Sequence, residues 1–499
     1  MTTPRYGMVF NTTDNDPRPA QPSDLSVIGL VLPSDDAVAA TFPLNEPIAF
    51  DSGDIRVLPA LGTGDLYKVV NTIDNQLADL QRSARIVAVR VSKGATIDET
   101  IANIVGDRAK GTGLYALLKA RTVLGVVPRM VGAPGYTGHG NIAVDDVIIT
   151  NGGEEYTHAD VVFDPPGAAG EAIIKDGMIT GVNMTAPGDY PQGTVLKVTF
   201  DGDGNGAAAN VTTQLLANPI CAALPEVLNV LLAHAVVGSP GSSQLDALMW
   251  RQTLSDPRLI PVDNWQIIQM PGVADDEYQD GAAAVLGLAA RVDFKHGGLP
   301  FWSFSGQPIQ GILGLKHNYT FSLVDGATQG QELLAQNIGV TERGELGDET
   351  AISASGFVFA GLWNASTDPL QWFYNKRRGR DWTHLALMKS IRLRLGTENV
   401  TPQGVQDVIN DMNAIGSYLI SKKAVLGFKV SFNGNDNSPN ELRQGNFAIS
   451  YNQEEPAPIA QVTINSGPYY EALTYELGTL IAQAAQLPAQ YLGAANVII

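Results

Sequence analysis

Between residues 25 and 137, stretches that read as strand and as helix take turns, and this alternation constrains the fold most. "LSVIGLVL" (25–32) reads as a strand, a helix-like run follows near 65–81, and "ARIVAVRVS" (84–92) reads as a second strand. The helical stretch "TGLYALLKARTVL" then leads into a strand-turn, "VPRMVGAPG" (127–135). Strand and helix in alternation bury their apolar faces against one another as an α/β layer.

At about residue 138 the pattern changes. Residues 138–212 lose helical periodicity and become glycine-rich, with short alternating runs such as "DVIITNGG", "ADVVFDPPG" and "TVLKVTFDG". The segment also repeats itself with a period of about 35 residues. "TNGGEEYTHADVVFDPPGAAGEAII" from Thr150 parallels "TAPGDYPQGTVLKVTFDGDGNGAAANV" from Thr185, matching Tyr156 to Tyr190 and Phe163 to Phe200. It carries 11 Asp/Glu against 2 Lys, so −9 of the whole-chain −19 lies here. These properties describe a duplicated β domain inserted into a host. The host resumes with a helix expected over "LLANPICAALPEVLNVLLAHAVV" and an α/β stretch to about residue 350, and "SGFVFAGLWNAS" (355–366) reads as a buried strand. A helix-rich segment then precedes three expected strands, at 424–432, 445–453 and 458–466, and a final helix is expected from near Pro468.

A chain of 499 residues is too long for one core, so two to four domains are expected. With 44% hydrophobic and 17% charged residues the composition is globular. The negative charge argues against nucleic acid, which needs a basic footprint. A single cysteine, Cys221, leaves no intrachain disulfide to form and suggests a reducing compartment. Its apolar setting fits an inert buried thiol better than a nucleophile. No basic n-region with an apolar h-region opens the sequence, and no apolar run reaches spanning length, so cytosolic synthesis without membrane insertion is expected.

Candidate chemistry is sparse. Asp201, Asp203, Asn205 and Gly206 match the opening of a calcium-binding EF-hand loop, but the twelfth position is Thr212, not a bidentate carboxylate, and the flanks have strand periodicity. A turn rich in Asp, Asn and Gly is the reading preferred to a calcium site. "GTGDLY" (62–67) and "GTGLYA" (111–116) lack the strand, helix and acidic residue of a dinucleotide loop. The six histidines are scattered, and neither a zinc pattern nor a nucleophile elbow is present. No catalytic group, cofactor or metal is therefore expected. The main charge feature is basic: residues 372–394 carry 7 Lys/Arg against Asp381. A solvated helix face and a contact surface for an acidic partner both fit, one such partner being residues 433–499 of another copy, with six Asp/Glu and one Arg.

Several segments, in order, resemble the tail sheath proteins of contractile bacteriophages and, more distantly, the sheaths of R-type bacteriocins and type VI secretion systems. "GDRAKGTGLYALLKARTVLGVVPRMVGAPG" (106–135) is similar to that family's Thr-Gly-Leu/Ile-x-Ala-Leu helix and Pro-Arg-x-x-x-Ala-Pro-Gly turn. "GLAARVDFKHG" (287–297), "PIQGILGL", "ELLAQNIGV" and "GFVFAGLWNAS" resemble its later steps, and "FYNKRRGRDWTHLALMKSIR" its Arg-Arg helix. The likeness covers most of 20–130 and 215–466. It implies an α+β, multidomain chain: an α/β sheath core with a β-rich inserted domain, and a helix-plus-β-sheet C-terminal domain with strand-donating arms. The expected partition is an N-terminal arm (1–24), a discontinuous middle domain (25–137 and 213–350), an outward-facing insertion (138–212), a C-terminal core domain (351–466) and a tail (467–499).

The resemblance also implies a non-enzymatic subunit of stacked, hexameric rings in a helical tube. Its partners would be other copies, a tail tube protein, and baseplate and tail terminator proteins, in a virion tail assembled in the host cytoplasm. Arms that add strands to neighbouring sheets place Tyr6, Met8 and Phe10 in a donor, Phe447, Ile449 and Tyr451 in a receiving strand, and Ile459, Val462 and Ile464 in a C-terminal donor. Lys376, Arg377, Arg378 and Arg380 are expected at an inter-subunit or tube contact. The rival readings are a bacteriocin or type VI-like device and, in another class, a secreted carbohydrate-binding or hydrolytic β-rich protein.

Overall fold

The computed structural model describes residues 24–270 and 275–485. Its largest element is a nine-stranded sheet. Across it run Gln307–Ile309, Phe357–Ala360, Gly339–Arg343, Leu259–Asp263, His234–Gly238, Met130–Gly132, Ile28–Pro33, Arg85–Val91 and Pro47–Asp51. From Gly339–Arg343 through Arg85–Val91 every pairing is parallel, and the strands outside this block pair antiparallel. Parallel strands are covered on both faces, which demands continuous apolar runs in place of alternation. Ile28–Pro33, His234–Gly238 and Leu259–Asp263 are accordingly buried at every residue.

The helix Ala282–Lys295 is buried from Ala282 to Asp293, apolar all round over its first nine residues and carrying Arg291 and Asp293 into the interior after them. It packs closely on Asp65–Asn75. A Cβ at Gly287 would lie 2.7 Å from the Ile73 carbonyl oxygen, so only glycine fits there. Strands from before residue 138 and after residue 215 share one sheet and one core.

The segment between them forms two sheets of its own. Ile142–Glu154 pairs antiparallel with Asn205–Leu215. A four-stranded sheet runs Met178–Ala186, Ala169–Lys175, Ala159–Asp164 and Lys197–Gly202. Two small cores result, one around Val144, Val147, Phe163 and Tyr190 and one around Tyr156, Ala159 and Ile179, with partly buried Phe200 against both. The acidic Asp201–Gly206 stretch crosses from one sheet to the other. The Asp203 carboxylate accepts hydrogen bonds from the backbone N–H groups of Thr157 and His158, at 2.9 and 3.0 Å, and from the Thr157 hydroxyl. These donors hold its pKa below the usual carboxylate range. Gly204 leaves room for the Tyr156 ring, and Gly206 takes φ +81°. The pattern thus has a conformational reason, a sheet-to-sheet turn pinned by the Asp203 carboxylate to the backbone of the Thr157–His158 loop.

Three local expectations differ. The run expected as one helix to Val237 is a helix only over Pro219–Leu231. Leu232 turns left-handed at φ +47°, and "HAVVG" becomes a central strand. Phe357–Ala360, assigned from sequence to the C-terminal domain, belongs to the central sheet. The strand expected at 458–466 is absent. Two strands, Gly427–Ser431 and Ser450–Glu454, pair antiparallel beside the helices Tyr374–Ile391 and Pro402–Ser421, and residues 455–469 take no regular structure. The alternation at 459–464 is real, but a strand exists only where a second strand accepts its hydrogen bonds.

Residues from Ile459 onward form a separate unit. Within it Ile459, Val462 and Ile464 are 82, 69 and 85% exposed, and the helix Tyr470–Ala485 follows. Tyr6, Met8 and Phe10 lie outside the described residues.

Candidate assembly surface

The helix Tyr374–Ile391 sorts its charges by face. Tyr374, Arg378, Asp381, Trp382 and Leu385 point inward, whereas Lys376, Arg377 and Arg380 are only partly covered. Arg378 is 1% exposed and grips Asp293, on the buried helix, with Nη2–Oδ2 2.5 Å and Nη1–Oδ1 3.3 Å. Burial pushes the Asp293 carboxyl up against the pull of that guanidinium.

One turn on, Asp381 accepts from Arg258 at 2.6 and 3.2 Å and from His234 Nε2 at 3.0 Å. Burial alone would raise Asp381; His234 and Arg258 outweigh it and hold the carboxylate well below its ordinary value. Burial depresses His234 to about 4, so at neutral pH the ring is uncharged and donates its Nε2 proton to Asp381. Two buried ionic contacts therefore fasten this helix to the central sheet and its covering helix. Arg378 is thereby removed from the expected surface contact.

Lys376 and Arg380 also find partners within the chain. Lys376 Nζ lies 3.0 Å from Glu454, and Arg380 makes a paired contact with Glu455 at 2.6 and 2.8 Å while donating to the Gln453 carbonyl at 3.1 Å. The acidic partner expected from another copy is, for these two cations, the chain's own Glu454 and Glu455. Arg377 forms no ion pair among the described residues.

These contacts hold in place the strand Ser450–Glu454. Tyr451 stacks on Phe428 with ring centroids 5.2 Å apart, and Ile449 and Tyr451 pack against the C-terminal core around Trp382, Met412 and Ile415. Phe447 stands exposed. The sheet has two strands, and among the described residues no third strand pairs with either, although Arg380 occupies the Gln453 carbonyl. Such a pair is marginal alone and its free N–H and C=O groups invite another strand. Downstream, the alternating segment Ile459–Ile464 exposes its apolar side chains and pairs with nothing among the described residues. The molecule thus carries a two-stranded sheet and, beyond it, an alternating segment that belongs to no sheet among the described residues. The ionic contacts were not foreseen from sequence; their one signal was a lone acid, Asp293, inside the apolar run "GLAARVDF".

A further acid is buried in the central sheet. Glu342 is 3% exposed, its Oε1 lacks a hydrogen-bond partner, and burial, with the charge of Asp263, pushes it up to about 8. The folded chain holds this proton more tightly than the unfolded one, so stability is lost as pH rises from about 4.5 towards 8. Glu342→Gln is expected to be the more stable form at pH 9 by about 1–3 kcal/mol, with a smaller difference at pH 5, as read from melting temperatures at both.

No family model matches the chain. In sequence it is 23% identical to the major tail sheath protein of Serratia phage KSP20 over 471 residues, covering 91% of this chain and 93% of the relative. It is 21% identical to the tail sheath protein of Escherichia phage P2 over 451 residues, 88% and 89% of the two chains. In fold it is similar to the sheath of an extracellular contractile injection system, PVC, in the contracted state. That match has a TM-score of 0.55 at 10% identity, over 95% of this chain and 100% of that one. The likeness read from short motifs extends over nearly the whole length.

Proposed function

We infer that this chain is a structural subunit of a contractile tail sheath, polymerising around a tail tube in a virion and shortening to drive that tube through the host envelope. The observation that carries the reading is the pairing of a two-stranded sheet, Gly427–Ser431 with Ser450–Glu454, with an unpaired alternating segment, Ile459–Ile464. Whole-length similarity to phage tail sheaths supports it and favours a phage tail over a bacteriocin-like device. The role is non-enzymatic.

In the proposed polymer, Tyr6, Met8 and Phe10 of one copy and Ile459, Val462 and Ile464 of another add strands beside Phe447–Tyr451 of a third. Head-to-tail contacts of this kind repeat without closing and build a helical tube of stacked, hexameric rings. Backbone hydrogen bonds in such joints survive large rotations of the bodies they connect. The buried pairs Arg378–Asp293 and Arg258–Asp381 keep helix and central sheet moving as one body, so contraction is confined to the joints. The duplicated β module at 138–212 faces outward, and Arg377 remains available for tube or inter-subunit contact. Contraction draws its free energy from better interfaces in the shortened state.

Negative-stain microscopy of the purified full-length chain tests the reading. Helical tubes are the expected result, and a field of discrete particles at all concentrations would overturn it.

A further inference from the structure

A groove of about 1560 Å³ opens where the last turns of the helix Tyr374–Ile391 meet the loop Gly125–Val127. Its floor is apolar, with Val127, Leu232, Leu385 and Ile391. Exposed Val230, Met388 and Leu395 extend that surface. Its rim is cationic, with Arg121, Arg129, Lys389 and Arg392 against the single carboxylate of Asp24. Arg121 and Arg392 form no ion pair among the described residues, in a chain of net charge −19. The volume exceeds the roughly 300–1,000 Å³ of small-molecule sites, and a contiguous apolar patch of this kind marks a polypeptide interface.

The sequence holds a segment of complementary chemistry. The helix Tyr470–Ala485 exposes Tyr470, Leu473, Leu477, Leu480 and Ile481, which recur at three- and four-residue spacing and share one face. Its only charges are Glu471 and Glu476, and no Lys or Arg occurs from Ile459 to Ile499. Sixteen residues make a helix about 24 Å long, and one of that length with its apolar stripe in water is marginal unless something covers the stripe.

We propose that the cation-rimmed groove of one copy receives the C-terminal helix, Tyr470–Ala485, of a neighbouring copy, with Leu473, Leu477 and Leu480 on the apolar floor and Glu471 and Glu476 against the arginine rim. The inference rests on the sheath reading for its premise that copies lie side by side. It adds a second joint beyond strand addition, an amphipathic helix laid in a groove.

The test uses the full-length chain with a photo-activated cross-linking residue in place of Leu477, prepared in isotopically heavy and light forms and mixed before assembly. Irradiation is expected to join position 477 of one form to residues 121–127 or 385–395 of the other. Glu471→Lys with Glu476→Lys should cut that yield several-fold, and Arg121→Glu with Arg392→Glu in the same chain should restore it. Products within a single chain, products mapped elsewhere, or a heavy–light product that appears only once residues 1–23 are deleted would each overturn the proposal. Microscopy of the same samples separates the two readings: tubes without the cross-link remove the groove alone, and the cross-link without tubes removes the sheath alone.

Discussion

Arg378→Ala is expected to destabilise the folded chain by about 3–5 kcal/mol, the cost of leaving one member of a buried ion pair alone. Asp293 has no exposure at all and sits in the last turn of a helix that is buried from Ala282 to Asp293. Burial already pushes its carboxyl up, so without Arg378 it would take a proton or stay charged at high cost. Denaturant midpoints measure the effect, and adding Asp293→Asn should recover part of the loss. A single-variant loss below about 1 kcal/mol, the value of an exposed pair, would show that the contact is not buried in solution.

Removal of residues 1–20 is expected to abolish polymer and leave soluble monomers, read by sedimentation and microscopy. The two-stranded sheet at 427–454 is too small to leave its edges empty in an assembled particle. Tyr6, Met8 and Phe10 recur in the sequence at a spacing of two, the period at which a strand added to a neighbouring sheet would present them on one face. The proposed joint would be built of backbone hydrogen bonds, so point substitutions there should act weakly while the deletion acts completely. Long tubes formed by the truncated chain would sink the strand-addition model.

The central sheet was legible because parallel strands need near-continuous Val, Ile and Leu, as at 25–32 and 84–92. "HAVVG" was missed because the helix before it is equally apolar, and only the left-handed Leu232 marks the change. Strand periodicity at 458–466 was read correctly as periodicity, yet pairing is a property of two segments and one sequence shows only the first. The basic helix was legible as a concentration of charge but not as a set of partners. Three of its four singled-out cations reach Asp293, Glu454 and Glu455, residues brought close by tertiary structure across 75 to 85 positions of sequence. Composition places a charge on a helix and leaves its counter-ion to the fold.

The two ends of the β module at 138–212 meet. The Leu216 N–H donates to the Asn141 carbonyl at 2.7 Å, and Asn218 reaches back with its side-chain amide to the Tyr136 and His139 carbonyls while capping the next helix. The host therefore passes from residue 141 to residue 216 across the gap of one hydrogen bond, whatever is threaded between. A folded unit whose own termini lie side by side could be spliced in at those two peptide bonds without disturbing the nine-stranded sheet. On a helical tube, each subunit would then display one such cargo at a fixed angular and axial interval.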